Sequence, residues 1–126
     1  MGFAEQTESI PDVFDNLTET VSNELVVILD ALGHEDSFAI FMYIEKGIKS
    51  SKLAIEELDL TQKRFYSRLK DLIEVGLVEK VEGEYRHTIF GGIFFKIGYS
   101  LLEMIENKEQ IELLEKIRAS SSLPDS

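Results

Sequence analysis

Cysteine is absent from the 126 residues, and histidine occurs only as His34 and His87. The first absence excludes disulfides, thiolate metal sites and cysteine redox sensing; the second leaves too few imidazoles for a histidine-based metal cluster. The chain has no glycine-rich phosphate loop, no nucleophile beside an obvious base and no metal-ligand spacing. Acid pairs such as Glu56-Glu57 fall on a helix face that reads as solvated. An enzyme is therefore not expected, nor is any metal or other cofactor. No basic segment leads into an apolar run near Met1, so no secretory signal is expected. The most apolar window, Ile89 to Ile105, contains Lys96, Glu103 and three glycines and is too short to span a bilayer. The expected location is the cytoplasm, with no membrane partner.

Positive charge is scarce as well. Thirteen lysines and arginines stand against 24 aspartates and glutamates, for a formal charge of −11. Taken over the whole chain this disfavours a polyanionic partner, because phosphate binding runs on lysine and arginine. The distribution changes that conclusion. Residues 1–60 hold 13 acids and 3 bases, residues 61–99 hold 5 and 7, and residues 100–126 hold 6 and 3. Only the middle segment is net positive, so acidity elsewhere either presents that one face to a polyanion and repels it from the others or simply maintains solubility.

The positive segment opens on the stretch that organises the chain, Thr61 to Gly76. Phe65, Leu69, Leu72 and Ile73 recur at helical spacing and draw an apolar stripe down one side. Thr61 suits the N-cap and Gly76 the left-handed stop. Lys63, Ser67, Lys70 and Glu74 occupy the opposite face, with Arg64 and Asp71 at its margins. An apolar back and a cationic front are what a helix held in a nucleic-acid groove requires.

Around this rod the chain reads as one domain of helices with a small hairpin, over residues 12–118. Residues 1–11 end at Pro11 and read as a flexible lead-in. Apolar spacing from Phe14 to Leu32 predicts a helix that starts at Pro11 or Asp12 and ends at Gly33. Asp36 or Ser37 is expected to cap a second helix, Phe38 to Lys46, with Phe38, Phe41, Met42 and Ile44 as core and Gly47 as its close. Ser50 or Ser51 opens a third, Lys52 to Leu58, burying Leu53, Ala54 and Leu58, and Asp59-Leu60 makes the turn into the rod. A short helix, a tight turn and a cationic helix spell a helix-turn-helix.

After Gly76 the period becomes alternating. Leu77 to Val81 and Glu84 to Ile89 flank Glu82-Gly83, the pattern of a two-stranded hairpin, which is a wing when it follows a recognition helix. Tyr85, His87 and Ile89 share the face expected to be core, and both histidines are expected to be structural. Thr88 is placed to cap a final helix, and Gly91-Gly92 permits close backbone approach. That helix is expected from Phe90 to Arg118, interrupted at the polar Asn107-Lys108-Glu109-Gln110. Residues 119–126 read as a disordered tail.

Two terminal helices of this length carry more apolar stripe than one small domain has core to cover. Pairing with a second copy is the economical use of the surplus. The expected dimer contacts are Phe14, Leu17, Val21, Phe94, Ile97, Leu101, Ile105, Ile111 and Leu114.

Three segments resemble a known family. Asp30 to Ile40 is similar to the "ALxHPTRLxIL" opening of arsenical-repressor-type winged-helix regulators. Leu69-Lys70-Asp71-Leu72-Ile73-Glu74-Val75-Gly76-Leu77-Val78 resembles their "LKxLxxxGLV" recognition segment. Tyr85 to Gly91 resembles the "YxLTxxG" wing-to-helix junction of small archaeal winged-helix regulators. The resemblance covers about residues 25–105. It implies a homodimeric, sequence-specific transcription regulator that sets a recognition helix of each copy in the major groove of double-stranded DNA. The resembling recognition segment runs from Gln62 through Val78 and ends in the "LKxLxxxGLV" motif; carried over residue by residue, its base-contact candidates are Gln62, Lys63, Arg64, Tyr66, Ser67 and Arg68, with Lys70 on phosphate. Thr61 at the helix start and Arg86 on the wing complete the expected DNA-binding set. The chain departs from the family in three places. Glu35-Asp36-Ser37 replaces Pro-Thr-Arg, the wing tip Glu82-Gly83-Glu84 is acidic, and the metal-binding cysteines are missing, so thiophilic metal sensing does not carry over. No residue identifies a small-molecule effector. The competing expectation, motivated by the −11 charge and the acidic wing, is a winged-helix protein-interaction module that does not bind DNA.

Overall fold

A computed structural model describes the backbone of residues 3–120 and the side chains from residue 18 onward. The chain is mainly helical with one small antiparallel hairpin, an arrangement compatible with a winged helix. In order it forms α1 (Phe3–Leu32), α2 (Glu35–Tyr43), a 3-10 turn (Ile44–Lys46), α3 (Ser51–Leu58), α4 (Gln62–Glu74), β1 (Val78–Val81), β2 (Glu84–His87), α5 (Ile89–Glu106) and α6 (Lys108–Ser120).

Helix α4 is positioned by both of its ends. The Thr61 hydroxyl accepts the Arg64 amide at 3.1 Å, closing the first turn. At the far end Gly76 adopts φ +85°, the left-handed region where a side chain would be strained. Leu77 N then donates to Leu72 O at 3.0 Å and Gly76 N to Ile73 O at 3.0 Å, the paired bonds of a Schellman stop. Phe65, Leu69 and Leu72 are fully buried, packed with Ile40, Phe41 and Ile44 of α2 and its 3-10 turn. Ile28, Ile48, Ala54, Leu77 and Val78 complete the core from α1, the loop before α3, α3 and the hairpin. Burial on this scale is worth about 1.5–3 kcal/mol per large side chain, which fixes the back of α4 and leaves its front undetermined by packing.

The hairpin pairs Val78 with His87 and Val81 with Glu84 across Glu82-Gly83. Both turn residues have positive φ, +50° and +81°, the geometry whose twist matches that of the strands. Ile48 adds a bridge on the outer side of β2, with Ile48 N to Tyr85 O at 2.8 Å and Tyr85 N to Ile48 O at 2.9 Å. Thr88 joins hairpin to helix. Its hydroxyl donates to Gly76 O at 2.6 Å and accepts the Gly91 amide at 2.8 Å as the N-cap of α5.

Several expectations need correction. Helix α1 starts at Phe3 rather than Asp12, so the lead-in expected over residues 1–11 is helical from Phe3 and Pro11 is interior. The three-and-four spacing runs back only to Ile10, with polar Gln6 and Thr7 beyond it, so the apolar repeat does not account for the first turns, and the helix runs through Pro11 despite the amide that it lacks. Helix α2 begins at Glu35 behind His34 with no side-chain cap. Asp36 instead accepts the Ser37 amide at 3.0 Å and faces α4. Leu53 is 51% exposed rather than buried, since Ala54 is the residue that α3 turns inward. Ile89 is 88% exposed because β2 ends at His87 and the alternation ends with it. The final helix divides at Asn107, whose side-chain amide takes the Glu103 carbonyl at 2.8 Å in competition with the backbone. Helix α6 reaches Ser120, two residues into the expected tail, and residues 121–126 lie outside the described residues.

One buried group is out of keeping with its surroundings. The Ser37 hydroxyl is fully buried with no hydrogen-bond partner among the described residues. Leaving a buried hydroxyl unpaired costs about 1–3 kcal/mol, while a methyl of similar size costs nothing in desolvation. Ser37→Ala is therefore expected to raise stability by about 1 kcal/mol, read as a higher urea midpoint at unchanged slope.

Candidate nucleic-acid interface

The front of α4 is laid out by the same periodicity that buries its back. With Phe65, Leu69 and Leu72 inward, positions 62, 63, 66, 67 and 70 turn outward, and Gln62, Lys63, Tyr66, Ser67 and Lys70 are all exposed there around one shallow depression. Lys63 and Lys70 lie two turns apart on this face, with Ser67 between them, and neither has a salt-bridge partner among the described residues. Tyr66 lies edge-on to the buried Phe65 at 5.1 Å between ring centroids, so its position is fixed from behind. Thr61 is exposed, with its hydroxyl oxygen committed to the cap.

The arginines are placed differently from the lysines. Arg68 turns toward α2 and hydrogen-bonds through Nε to Asp36 Oδ1 at 3.1 Å; its side chain is only 25% exposed. Arg64, one turn earlier and 62% exposed, reaches the other oxygen, Asp36 Oδ2, at 3.2 Å. One carboxylate thus draws in both guanidiniums. Burial works to raise the Asp36 pKa, but the Arg68 hydrogen bond and charge and the Ser37 amide outweigh it and hold the carboxyl below its ordinary value of 3.8. A lowered carboxyl pKa stabilises the fold fully above the unfolded value and loses that contribution as pH falls through the folded one. Wild type should therefore lose stability more steeply than Asp36→Asn below about pH 4, measured as thermal midpoints down to pH 2.

Arg86 projects from the exposed face of β2 and pairs across the strands with Glu79 at 3.6 Å, a solvent-exposed contact. No family model, curated protein or solved structure matches the chain. The geometry of its own residues therefore carries the functional reading. It brings Gln62, Lys63, Tyr66, Ser67 and Lys70 onto one open face and sets Arg64 at its edge, with Thr61 at its start. Arg68 is drawn back against α2 and Arg86 stands apart on the hairpin.

The sequence reading missed Asp36 as a site residue. A carboxylate 32 positions from its arginine partner leaves no local signal, and the departure from Pro-Thr-Arg was the one visible hint. Of the two histidines, His87 is accounted for by packing. His87 is half-buried, bonded through Nε2 to the Phe41 carbonyl at 2.8 Å and set between Phe41 and Phe95. His34 is exposed at the start of α2. No group of three or more acidic or imidazole side chains among the described residues is arranged to hold a metal.

Of the residues expected at a dimer contact, Val21, Ile97, Leu101, Ile105, Ile111 and Leu114 are exposed. Phe94 instead packs against the margin of the chain's own core, and the side chains of Phe14 and Leu17 lie outside the described residues. Helix α6 buries no residue at all, although Ile111, Leu114 and Ile117 line it at helical spacing. No helix among the described residues is long and apolar enough to cross a membrane.

Proposed function

We propose that this chain is a sequence-specific DNA-binding regulator of transcription that acts as a homodimer through a winged helix-turn-helix. In this reading α3 and α4 form the helix-turn-helix, α4 enters the major groove, and the β1–β2 hairpin is the wing. The exposed apolar residues of α1, α5 and α6 supply the contact between copies, since so many large apolar side chains left in solvent along these helices favour an interaction site.

The observation that carries the reading is the open face of α4, where Lys63 and Lys70, without salt-bridge partners among the described residues, stand beside the amide of Gln62 and the hydroxyl of Ser67. Lysine supplies point charge for phosphate, and the glutamine amide is the bidentate partner of adenine. The test is a mobility-shift titration of the protein on the DNA upstream of its own gene, at low and moderate salt. Retardation by two chains per duplex, weaker at the higher salt, is the expected result.

A second reading has its own observation. Arg64 and Arg68 are drawn to Asp36, Arg86 to Glu79, and the wing tip carries Glu82 and Glu84, so much of the local positive charge is already answered. A winged-helix module that binds a basic protein instead of DNA is consistent with that pattern. Absence of retardation at either salt would favour it.

A further inference from the structure

Asp36 sits outside the set of residues expected to contact DNA, yet its side chain meets two of them. Its carboxylate is 12% exposed, anchored on α2 by the Ser37 amide, and offers one oxygen to each arginine. The two arginines answer it from successive turns of α4 but in different environments. Arg68 is largely covered and serves the contact between α2 and α4, whereas most of the Arg64 side chain is in solvent. Arg68 hydrogen-bonds the carboxylate through Nε, and Arg64 meets it through Nε as an ion pair. Engagement at Nε commits one edge of a guanidinium and leaves its terminal amino groups as donors for a second acceptor. An exposed arginine on a mobile stem loses rotamer freedom on binding, and a partner that fixes its plane beforehand reduces that cost.

We propose that Asp36 is a positioning residue for base reading: it holds the Arg64 guanidinium at the edge of the α4 face so that the fork is presented to a guanine rather than spread over nearby phosphates. This rests on the DNA-binding reading above. Arg64 then acts as a specificity contact while Lys63 and Lys70 supply affinity. The neighbouring carboxylate disfavours phosphate by its own charge and accepts the inner edge of an arginine already bonded to a base. Arg68 keeps the carboxylate in place from the other side.

The experiment is selection from a pool of randomised DNA duplexes with three proteins: wild type, Asp36→Asn and Arg64→Lys. Wild type is expected to enrich a guanine at one position of each half-site by about 5–150-fold over other bases. Asp36→Asn keeps the shape but not the charge. It is expected to lose that preference while binding unselected duplex at least as tightly as wild type, because a negative charge has gone and Arg64 is free to find phosphate. Arg64→Lys leaves the Arg68–Asp36 contact and the net charge intact. It is expected to lose the same position and no other, which keeps the test decisive if Asp36→Asn fails to fold. Equal guanine enrichment in wild type and either variant would overturn the proposal while leaving DNA binding in place. A wild-type protein that enriches no sequence would overturn the DNA-binding reading, and this inference with it.

Discussion

Reversing Lys63 and Lys70 to glutamate in one chain is expected to abolish retardation of duplex DNA at moderate salt, a loss of at least about a hundredfold in affinity. Both lysines are exposed, lie on one face two turns apart and have no salt-bridge partner among the described residues, so the substitution breaks nothing inside the protein. The expected effect on stability is within about 0.5 kcal/mol, and the thermal midpoint should scarcely move. In a dimer the double reversal removes four phosphate contacts and installs four repulsions. Each lost contact lowers the salt slope of binding by about 0.9. The control is a matched reversal on the terminal helix, Lys108→Glu with Lys116→Glu, which changes net charge equally. Lys108 meets only Glu112, one turn away at 4.0 Å, and that pair contributes little. If both double variants lose affinity equally, bulk charge and not the α4 face is responsible, and the assignment of α4 fails.

The elements around α4 were legible because local chemistry announces them. Thr61 and Thr88 both cap as their positions suggest, Gly76 takes the left-handed stop, and Glu82-Gly83 forms the tight turn between strands. The interruption at Asn107 was visible as a polar gap in an apolar stripe. What sequence could not supply was partnership at a distance. The clamp of Asp36 on Arg64 and Arg68 depends on the angle at which α2 crosses α4, and that angle is set by Ile40, Phe41, Phe65 and Leu69 packing together. The start of α1 was misplaced for a different reason. Pro11 suits the first position of a helix, where its missing amide costs nothing, and the polar stretch before Ile10 carries no apolar repeat to announce the turns that precede it. Asp59 makes the expected turn, and only its conformation had no local signal: its φ of +56° puts a non-glycine residue in the left-handed region at the end of α3, where Leu60 N reaches back to Ile55 O at 3.1 Å.

The pair Gly91 and Gly92 should separate the two reasons a glycine can stand at the start of a helix. Gly91→Ala is expected to cost about 3–5 kcal/mol, a large part of the stability of a domain of this size. A methyl at Gly91 would lie 2.8 Å from the Leu77 carbonyl carbon and closer still to its oxygen. That carbonyl cannot swing away, because it accepts the Thr88 amide at 3.1 Å and belongs to the segment that closes α4. Relief requires α5 to lift off the hairpin, which strains the Thr88 bonds to Leu77 and Gly76 together. Gly92, the next residue, has nothing within 4 Å of the same position. Gly92→Ala should therefore be neutral or raise stability by up to about 1 kcal/mol, the ordinary gain of alanine over glycine in a helix. Chemical denaturation of the two variants side by side is the measurement. Equal, small effects would mean that α5 does not enter against the Leu77 carbonyl. The direction of the terminal helices, and with it the spacing of two α4 faces in a dimer, would then rest on something other than this close approach.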